Sequence, residues 1–334
     1  MTFKIHKINR CKKINEIKNA GQNMSVRQYP ETSHIDKNVS KSNFLSDGVE
    51  CSATLHVPVT QQKKQLPAIL MVGGWGSVQG ALTDSFINHF IAQGYAVMEF
   101  DYPGWGLSGG FPRQDINPWK RVKTAHNALA HLKNQQQVNA HQIIVWGTSF
   151  GGGHVVDLVV DHPELKGAII QVPMLDGIST VRSVPLPQMM KFFGYGMVDR
   201  LKPGARICIP TVAKPGELGA MDRDRAWDAM QLAKDTLKID YDNRVTARSL
   251  LTMGFYRPWK RLKHVKIPML IVGATQDTVA PFVAEKIKRV NNSLIEVKTI
   301  DADHFDPYFE PFFSKNLAYQ LAFLNRLEHL SACA

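Results

Sequence analysis

A serine hydroxyl is a weak nucleophile near neutral pH, so a chain that uses one must also supply a base within reach and a group that orients the base. The candidate nucleophile among the 334 residues is Ser149, in Gly147-Thr148-Ser149-Phe150-Gly151, a G-x-S-x-G continued by Gly152 and Gly153. Context gives the motif its force: an apolar run at 142–146 precedes it and a helical pattern at 150–161 follows. A serine on such a strand-to-helix turn is held at strained backbone angles, and the flanking glycines relieve clashes with the neighbouring strand and helix. The helix start also directs N–H groups and partial positive charge at negative charge developing beside Ser149.

Twelve histidines compete for the role of base. His304 is the expected one, because the loop Asp301-Ala302-Asp303-His304-Phe305-Asp306 follows the last predicted strand. His126, His131 and His162 lie in or at the ends of amphipathic helices and read as surface or packing residues. His154 follows Ser149 by five residues on the same predicted helix and should point away from the hydroxyl. The orienting acid is expected at Asp277, delivered by the strand at 268–272 through Gly273-Ala274-Thr275-Gln276; Asp176, after the strand at 167–173, is its rival. Both acids stand at carboxyl ends of strands, where α/β sheets assemble their sites, and the order Ser, Asp, His is the one the elbow motif demands. Two backbone N–H donors are expected to face an oxyanion, those of Phe150 and of Trp75. The second lies in Val72-Gly73-Gly74-Trp75-Gly76, whose glycines permit close backbone approach.

These residues need a scaffold that brings strand ends together. Residues 49–57 alternate like a half-buried strand, whereas 68–72, 95–100, 142–146 and 167–173 read as short buried strands. Helical spacing recurs at 82–93, 117–132 and 150–161, with Asn117-Pro118 placing a cap and a proline at a helix start. The alternation resumes with a strand at 268–272, a helix at 281–290, a strand at 294–300 and a helix near 313–328. Such repetition implies a parallel sheet covered on both faces. Between the two halves, 176–265 carries Pro-Gly breaks, amphipathic stretches near 186–200 and 222–238, and no good buried strand, so it is expected to be an inserted helical cap. The expected organisation is a basic, flexible extension at 1–24, a core of 25–175 and 266–334, and a cap of 176–265.

Composition narrows the function classes. With 44% apolar and 21% charged residues the chain can bury a large core. Its apolar runs fall well short of the ~18 residues a membrane span requires, and the N-terminus has no apolar h-region of a secretory signal. Of the +11 formal charge, six units come from residues 1–41, which hold nine Lys/Arg against three Asp/Glu. The excess is therefore mostly a tail, and no nucleic-acid partner is expected. Four cysteines lie far apart without C-x-x-C spacing, which fits a reducing, cytoplasmic setting. No metal is expected, since neither HExxH nor clustered Cys/His spacing occurs. No cofactor is expected either. Gly104-Trp105-Gly106-Leu107-Ser108-Gly109 matches G-x-G-x-x-G, but no helix opens until about residue 117 to hold a pyrophosphate.

The runs Phe100 to Gly110, Trp146 to His154 (WGTSFGGGH) and His304-Phe305-Asp306-Pro307-Tyr308 resemble bacterial α/β-hydrolases grouped with dienelactone hydrolase-like and Xaa-Pro dipeptidyl-peptidase-like proteins. The likeness covers roughly 45–330 and includes Lys214-Pro215-Gly216-Glu217 and Tyr256-Arg257-Pro258. It implies the α/β-hydrolase fold, a mostly parallel twisted sheet with helices on both faces and an inserted helical cap, and it assigns Ser149, Asp277 and His304 to a triad. Two departures stand out: such proteins often have His-Gly where this chain has Gly73-Gly74, and dienelactone hydrolase uses cysteine where Ser149 stands. The expected substrate is a small acyl compound carrying an ester, thioester or lactone. An acyltransferase or thioesterase of polyketide or lipid metabolism would use the same residues, and a non-catalytic anion-binding module is the alternative of another class. Seven of twelve methionines fall in 174–265, near Phe192, Phe193, Tyr195 and Trp227, as an adaptable apolar pocket or cap–core packing would require. Oligomeric state is not legible. Removal of residues 1–23, which lack apolar periodicity, is expected to leave turnover of a neutral ester unchanged; a large loss of rate or melting temperature would show that the segment joins the fold.

Overall fold

The computed structural model describes residues 35–59, 65–202, 206–223, 225–237 and 241–332. The expected extension at 1–24, and 25–34 of the expected core, lie outside the described residues. Eight strands, β1 (Lys37–Lys41), β2 (Ala53–Pro58), β3 (Leu66–Val72), β4 (Ala96–Phe100), β5 (Val138–Thr148), β6 (Gly167–Gln171), β7 (Met269–Ala274) and β8 (Ile295–Ile300), form one sheet in the order β1-β2-β4-β3-β5-β6-β7-β8. The β1–β2 and β2–β4 pairs are antiparallel and the remaining pairs parallel. This is the α/β-hydrolase fold.

The apolar runs become central strands because both faces of each are covered. Along β3, Ala68, Leu70 and Val72 enter one apolar layer and Ile69 and Met71 the other; along β5, Ile143 and Val145 alternate with Ile144 and Trp146 in the same way. The first layer is closed by α2 (Pro118–Lys133) and α3 (Phe150–Asp161), through residues such as Leu129 and Val155. The second is closed by α1 (Asp84–Ala92) and α9 (Phe312–Ala332), through Phe86, Phe90 and Phe313. At roughly 25 cal/mol per Å² of apolar surface removed from water, these two layers are the main driving force of the fold. Asn117 caps α2 as its sequence suggested, its side chain accepting from the Lys120 N–H at 3.1 Å.

Several elements differ from expectation for physical reasons. The expected strand at 49–57 divides at Ser52: Val49–Cys51 pairs with Phe44–Ser46 in a hairpin, and only β2 joins the main sheet. Strand β1 was not anticipated, since most of its side chains are exposed and it is held by its backbone ladder with β2 and by Lys37, which donates to Asn88 Oδ1 at 2.7 Å. The helix expected at 281–290 begins only at Ala284, forming α8 (Ala284–Val290), because the chain first closes around the Asp277 carboxylate.

Between β6 and β7 lie α4 (Gly177–Arg182), α5 (Leu186–Leu201), α6 (Ala226–Leu237) and α7 (Leu250–Met253). Contrary to the expectation of no buried strand there, Cys208–Pro210 pairs antiparallel with Arg244–Thr246, burying Ile209 and Val245. Three-residue strands paired across more than thirty residues carry no periodicity that a sequence window can detect. Helix α5 turns Gln188 and Asp199 inward and leaves Leu186, Met190 and Leu201 exposed. Asp199 tolerates burial because Arg248 and the N–H groups of Ile207 and Arg248 bond its carboxylate.

Helix α3 approaches the end of β3 so closely that a Cβ on Gly151 would lie 2.2 Å from the Val72 carbonyl oxygen and 2.5 Å from that of Gly73. Backbone atoms cannot yield as a flexible side chain would. Gly151→Ala is therefore expected to destabilise the fold by about 1–3 kcal/mol or more, read as a lowered melting temperature; an unchanged melting curve would show that helix and strand can separate at no cost.

Candidate active site

Sheet register brings the relevant loops to one edge. Val72 pairs with Gly147, Thr148 with Gln171, Gln171 with Val272, and Ala274 with Ile300, so the segments beginning at Gly73, Ser149, Thr275 and Asp301 all leave the sheet at its carboxyl end. Ser149 occupies the single residue between β5 and α3 at φ 52° and ψ −123°, a conformation that is costly for a residue with a Cβ. Three backbone hydrogen bonds hold it there. Its N–H donates to the Gln171 carbonyl at 3.0 Å, and its carbonyl accepts from the N–H groups of Gly152 at 3.0 Å and Met174 at 2.9 Å.

The structure brings Ser149, His304 and Asp277 together. His304 Nε2 lies 3.0 Å from Ser149 Oγ and His304 Nδ1 lies 2.6 Å from Asp277 Oδ2. An ionised carboxylate only accepts, so Nδ1 carries the proton toward Asp277 and the Nε2 lone pair faces the serine hydroxyl. Both His304 and Asp277 are buried, and the other Asp277 oxygen is satisfied by the N–H groups of Val279 at 2.9 Å and Ala280 at 2.7 Å. The loop carrying His304 is fixed in turn: the His304 N–H donates to Asp303 Oδ1 at 2.7 Å and the Asp303 N–H to Asp306 Oδ2 at 2.8 Å. From the segment between β6 and β7, Arg225 donates to both Asp306 oxygens, at 2.9 and 3.2 Å.

The two rival residues are engaged elsewhere. His154 is fully buried beside α2, its Nδ1 3.0 Å from the Tyr102 hydroxyl, and burial pulls its pKa well below the usual histidine range. Asp176 pairs with Arg257 at 2.7 Å and with Lys286, and Ser179 donates to it at 3.0 Å. Against the burial of its carboxyl, which alone would raise its pKa, these partners together hold it below the ordinary carboxylate value. The G-x-G-x-x-G segment is a buried-acid turn: the N–H groups of Gln79 and Leu107 bond Asp101 at 2.8 and 2.9 Å, and a Cβ on Gly106 would overlap that carboxylate.

Trp75 and Phe150 also meet at Ser149, their rings 5.4 Å apart edge to face. Phe150 is the first residue of α3, so its N–H has no carbonyl a turn earlier to bond. Gly74 packs on the serine closely enough that a Cβ would lie 3.1 Å from Ser149 Cβ. Trp75, Ser149 and Phe150 open onto a cavity of about 650 Å³, walled by apolar side chains including Met174, Met189, Phe192, Met197 and Phe255. Among the described residues the charged ones lining it are Arg200 and Arg223, and Arg223 is bonded to Asp222 and, at 3.0 Å, to the Ser183 carbonyl. Among the described residues no group of three or more His, Cys, Asp or Glu side chains could hold a metal ion.

Sequence reasoning did not single out Arg121, which lies behind the Gly73–Gly74 turn. A signal existed: Arg121 shares the buried stripe of α2 with Ala125, Ala128, Leu129 and Leu132, where an apolar residue is the rule.

Among known proteins, the chain is similar to the quorum-quenching protein AidA of Acinetobacter baumannii, 29% identical over 287 residues that span 85% of this chain and 93% of the relative. It is 26% identical to a thiohydrolase of Eupenicillium brefeldianum over 242 residues, 70% of this chain and 76% of the relative. The crystal structure of the α/β-hydrolase GrgF from a Penicillium species superposes with a TM-score of 0.70 at 22% identity, covering 87% of this chain and 99% of that one. The family model described as Hydrolase_4, serine aminopeptidase S33, matches residues 63–302, and with that match, on this sheet, the chain belongs to the Hydrolase_4 family of α/β-hydrolases.

Proposed function

We propose that the protein is a serine hydrolase that cleaves an ester, thioester or lactone of a small, partly apolar substrate through an acyl-enzyme. The observation that carries the reading is the hydrogen-bonded line from Ser149 through His304 to Asp277, at 3.0 and 2.6 Å, where Ser149 opens onto an apolar cavity. In this reading His304 takes the Ser149 proton as Oγ attacks the carbonyl, and Asp277 holds the imidazole in the tautomer that can do so. The N–H groups of Phe150 and Trp75 receive the oxyanion. His304 returns the proton to the leaving group, and water releases the acyl chain by the same steps in reverse.

The cavity favours an acyl substrate over a peptide with a free α-amine. An ammonium in an apolar pocket is best met by a carboxylate, and the described residues lining this one include none. The dienelactone hydrolase-like and Xaa-Pro dipeptidyl-peptidase-like groups resembled by the sequence share attack on an acyl carbonyl, which is as far as that likeness is carried. A second reading, acyl transfer, is favoured by relatives named polyketide transferases, 25% identical over 183 residues in one case. The two differ in whether water or another nucleophile accepts the acyl group. The segment 176–265 acts here as a cap that supplies the acyl pocket.

Ser149→Ala is expected to lower ester turnover by as much as about 10⁶-fold and to abolish labelling by a fluorophosphonate probe, with the melting temperature retained. Turnover near wild type would remove Ser149 from the mechanism. Asp277→Asn should impair turnover by orders of magnitude, whereas Asp176→Asn should act mainly on stability, since Asp176 binds Arg257 and Lys286 and not the histidine. The reverse ranking would move the acid. Across a series of acyl esters, kcat/KM should rise with chain length, each methylene adding at most about 0.8 kcal/mol, and then level off. Phe192→Ala and Phe193→Ala should shift the preferred length with little effect on labelling of Ser149; a flat profile that they leave unchanged would show that these rings only pack.

A further inference from the structure

Arg121 is a buried cation to which no carboxylate is bonded among the described residues, the Asp115 charge acting on it only through space. Its side chain rises from α2 into the layer beneath the turn 73–76 and is only 3% exposed. Nη1 donates to the Gly74 carbonyl at 3.0 Å, while Nε and Nη2 meet no partner among the described residues, so none of its nitrogens touches a carboxylate. The guanidinium lies over the Tyr102 ring at 4.3 Å and near Trp105 at 5.1 Å, whose π faces offset part of the lost hydration. Burial pulls its pKa down to about 10, so it stays charged at neutral pH. Removing a charge from water without pairing it is costly, and a chain that only needed to fill this space could do so with methionine or leucine.

The one carbonyl that Arg121 grips belongs to the peptide joining Gly74 to Trp75. A trans peptide is planar, so the Trp75 N–H points opposite to the Gly74 C=O and therefore away from Arg121. Gly74 itself packs on Ser149, with 3.6 Å between a Cβ placed there and Ser149 Oγ. We infer that Arg121 is a positioning residue of the oxyanion site: it fixes and polarises the Gly74–Trp75 peptide so that the Trp75 N–H is presented to the oxygen formed when Ser149 attacks. A cation at the carbonyl end draws electron density along the peptide and strengthens the N–H as a donor. In the dry interior its charge also favours the negative oxygen on the far side of the same peptide, so the cation gains a further partner charge in the transition state. Ser77, whose N–H also donates to the Gly74 carbonyl at 3.3 Å, closes the turn but carries no charge.

The inference rests on the serine-hydrolase reading, and the experiment separates the two. Turnover of a neutral aryl ester and binding of an alkyl boronic acid, which forms a tetrahedral oxyanion on a serine, are measured in wild type, Ser149→Ala, Arg121→Met, Arg121→Gln and Arg121→Lys. Loss of one oxyanion donor lowers turnover by about 10²–10³-fold, and weakening one should cost less. The neutral variants should lose about 10–100-fold in kcat with KM within about twofold, and boronate affinity should fall in proportion to kcat. Arg121→Lys, which keeps the charge and one reachable N–H, should recover most of both. Loss of the costly buried charge and loss of its bond to Gly74 act on melting temperature in opposite senses, so kcat and boronate affinity are the deciding measurements; if Arg121→Met does not fold, Arg121→Gln decides. Wild-type kcat and boronate affinity in a folded neutral variant would overturn the inference and leave Arg121 a packing residue. Full turnover in Ser149→Ala would instead overturn the reading on which it stands.

Discussion

The contact between the start of α3 and the end of β3 sets the geometry of everything else at this edge of the sheet. Gly151 fits against the carbonyl oxygens of Val72 and Gly73 with no room for a methyl group, and Ser149 is thereby held beside Gly74. The strained φ of 52° at Ser149 persists because the contact and three backbone hydrogen bonds over-determine it. Once that corner is fixed, β6, β7 and β8 follow through register, and the loops after β7 and β8 deliver Asp277 and His304 to the same edge. Packing thus comes first, and the side-chain hydrogen bonds are built on a backbone that is already immobile.

Much of this was legible in the chain. Short apolar runs bounded by helical spacing identify a parallel sheet, and a serine on a glycine-flanked turn after one of those runs can be placed at its end without a structure. Asp277 and His304 were readable for the same reason, because loops after strands must share an edge. Direction was harder. The period of α5 is plain, yet Gln188 and Asp199 face inward while Leu186 and Leu201 face out. Amphipathicity reports that a helix has two faces; which one is buried depended on Arg248 and Ile207 being present to satisfy Asp199. Arg121 escaped for a related reason, since its partner is a backbone carbonyl 47 residues away and no motif encodes such a bond.

Where charge is buried, its placement is informative. Asp176, Asp199 and Asp277 are each nearly sealed from solvent, and each has its oxygens met by cations, N–H groups or an imidazole. They obey the rule that an interior charge is paired and hydrogen-bonded. The pairs also tie distant parts together: Asp176 joins the end of β6 to Arg257 and α8, and Asp306 joins the His304 loop to Arg225.

The atoms disposed for chemistry stand on loops at strand ends, while the cavity in front of them is walled largely by residues between β6 and β7. Those two sets of residues can therefore accumulate substitutions at independent rates. A lineage that exchanges Met189 or Phe255 redraws the space open to a bound molecule without disturbing the distances among Ser149, His304 and Asp277. Divergence in what such proteins accept can accordingly run far ahead of divergence in how they would act on it, and sequence similarity averaged over the whole chain will blur the two.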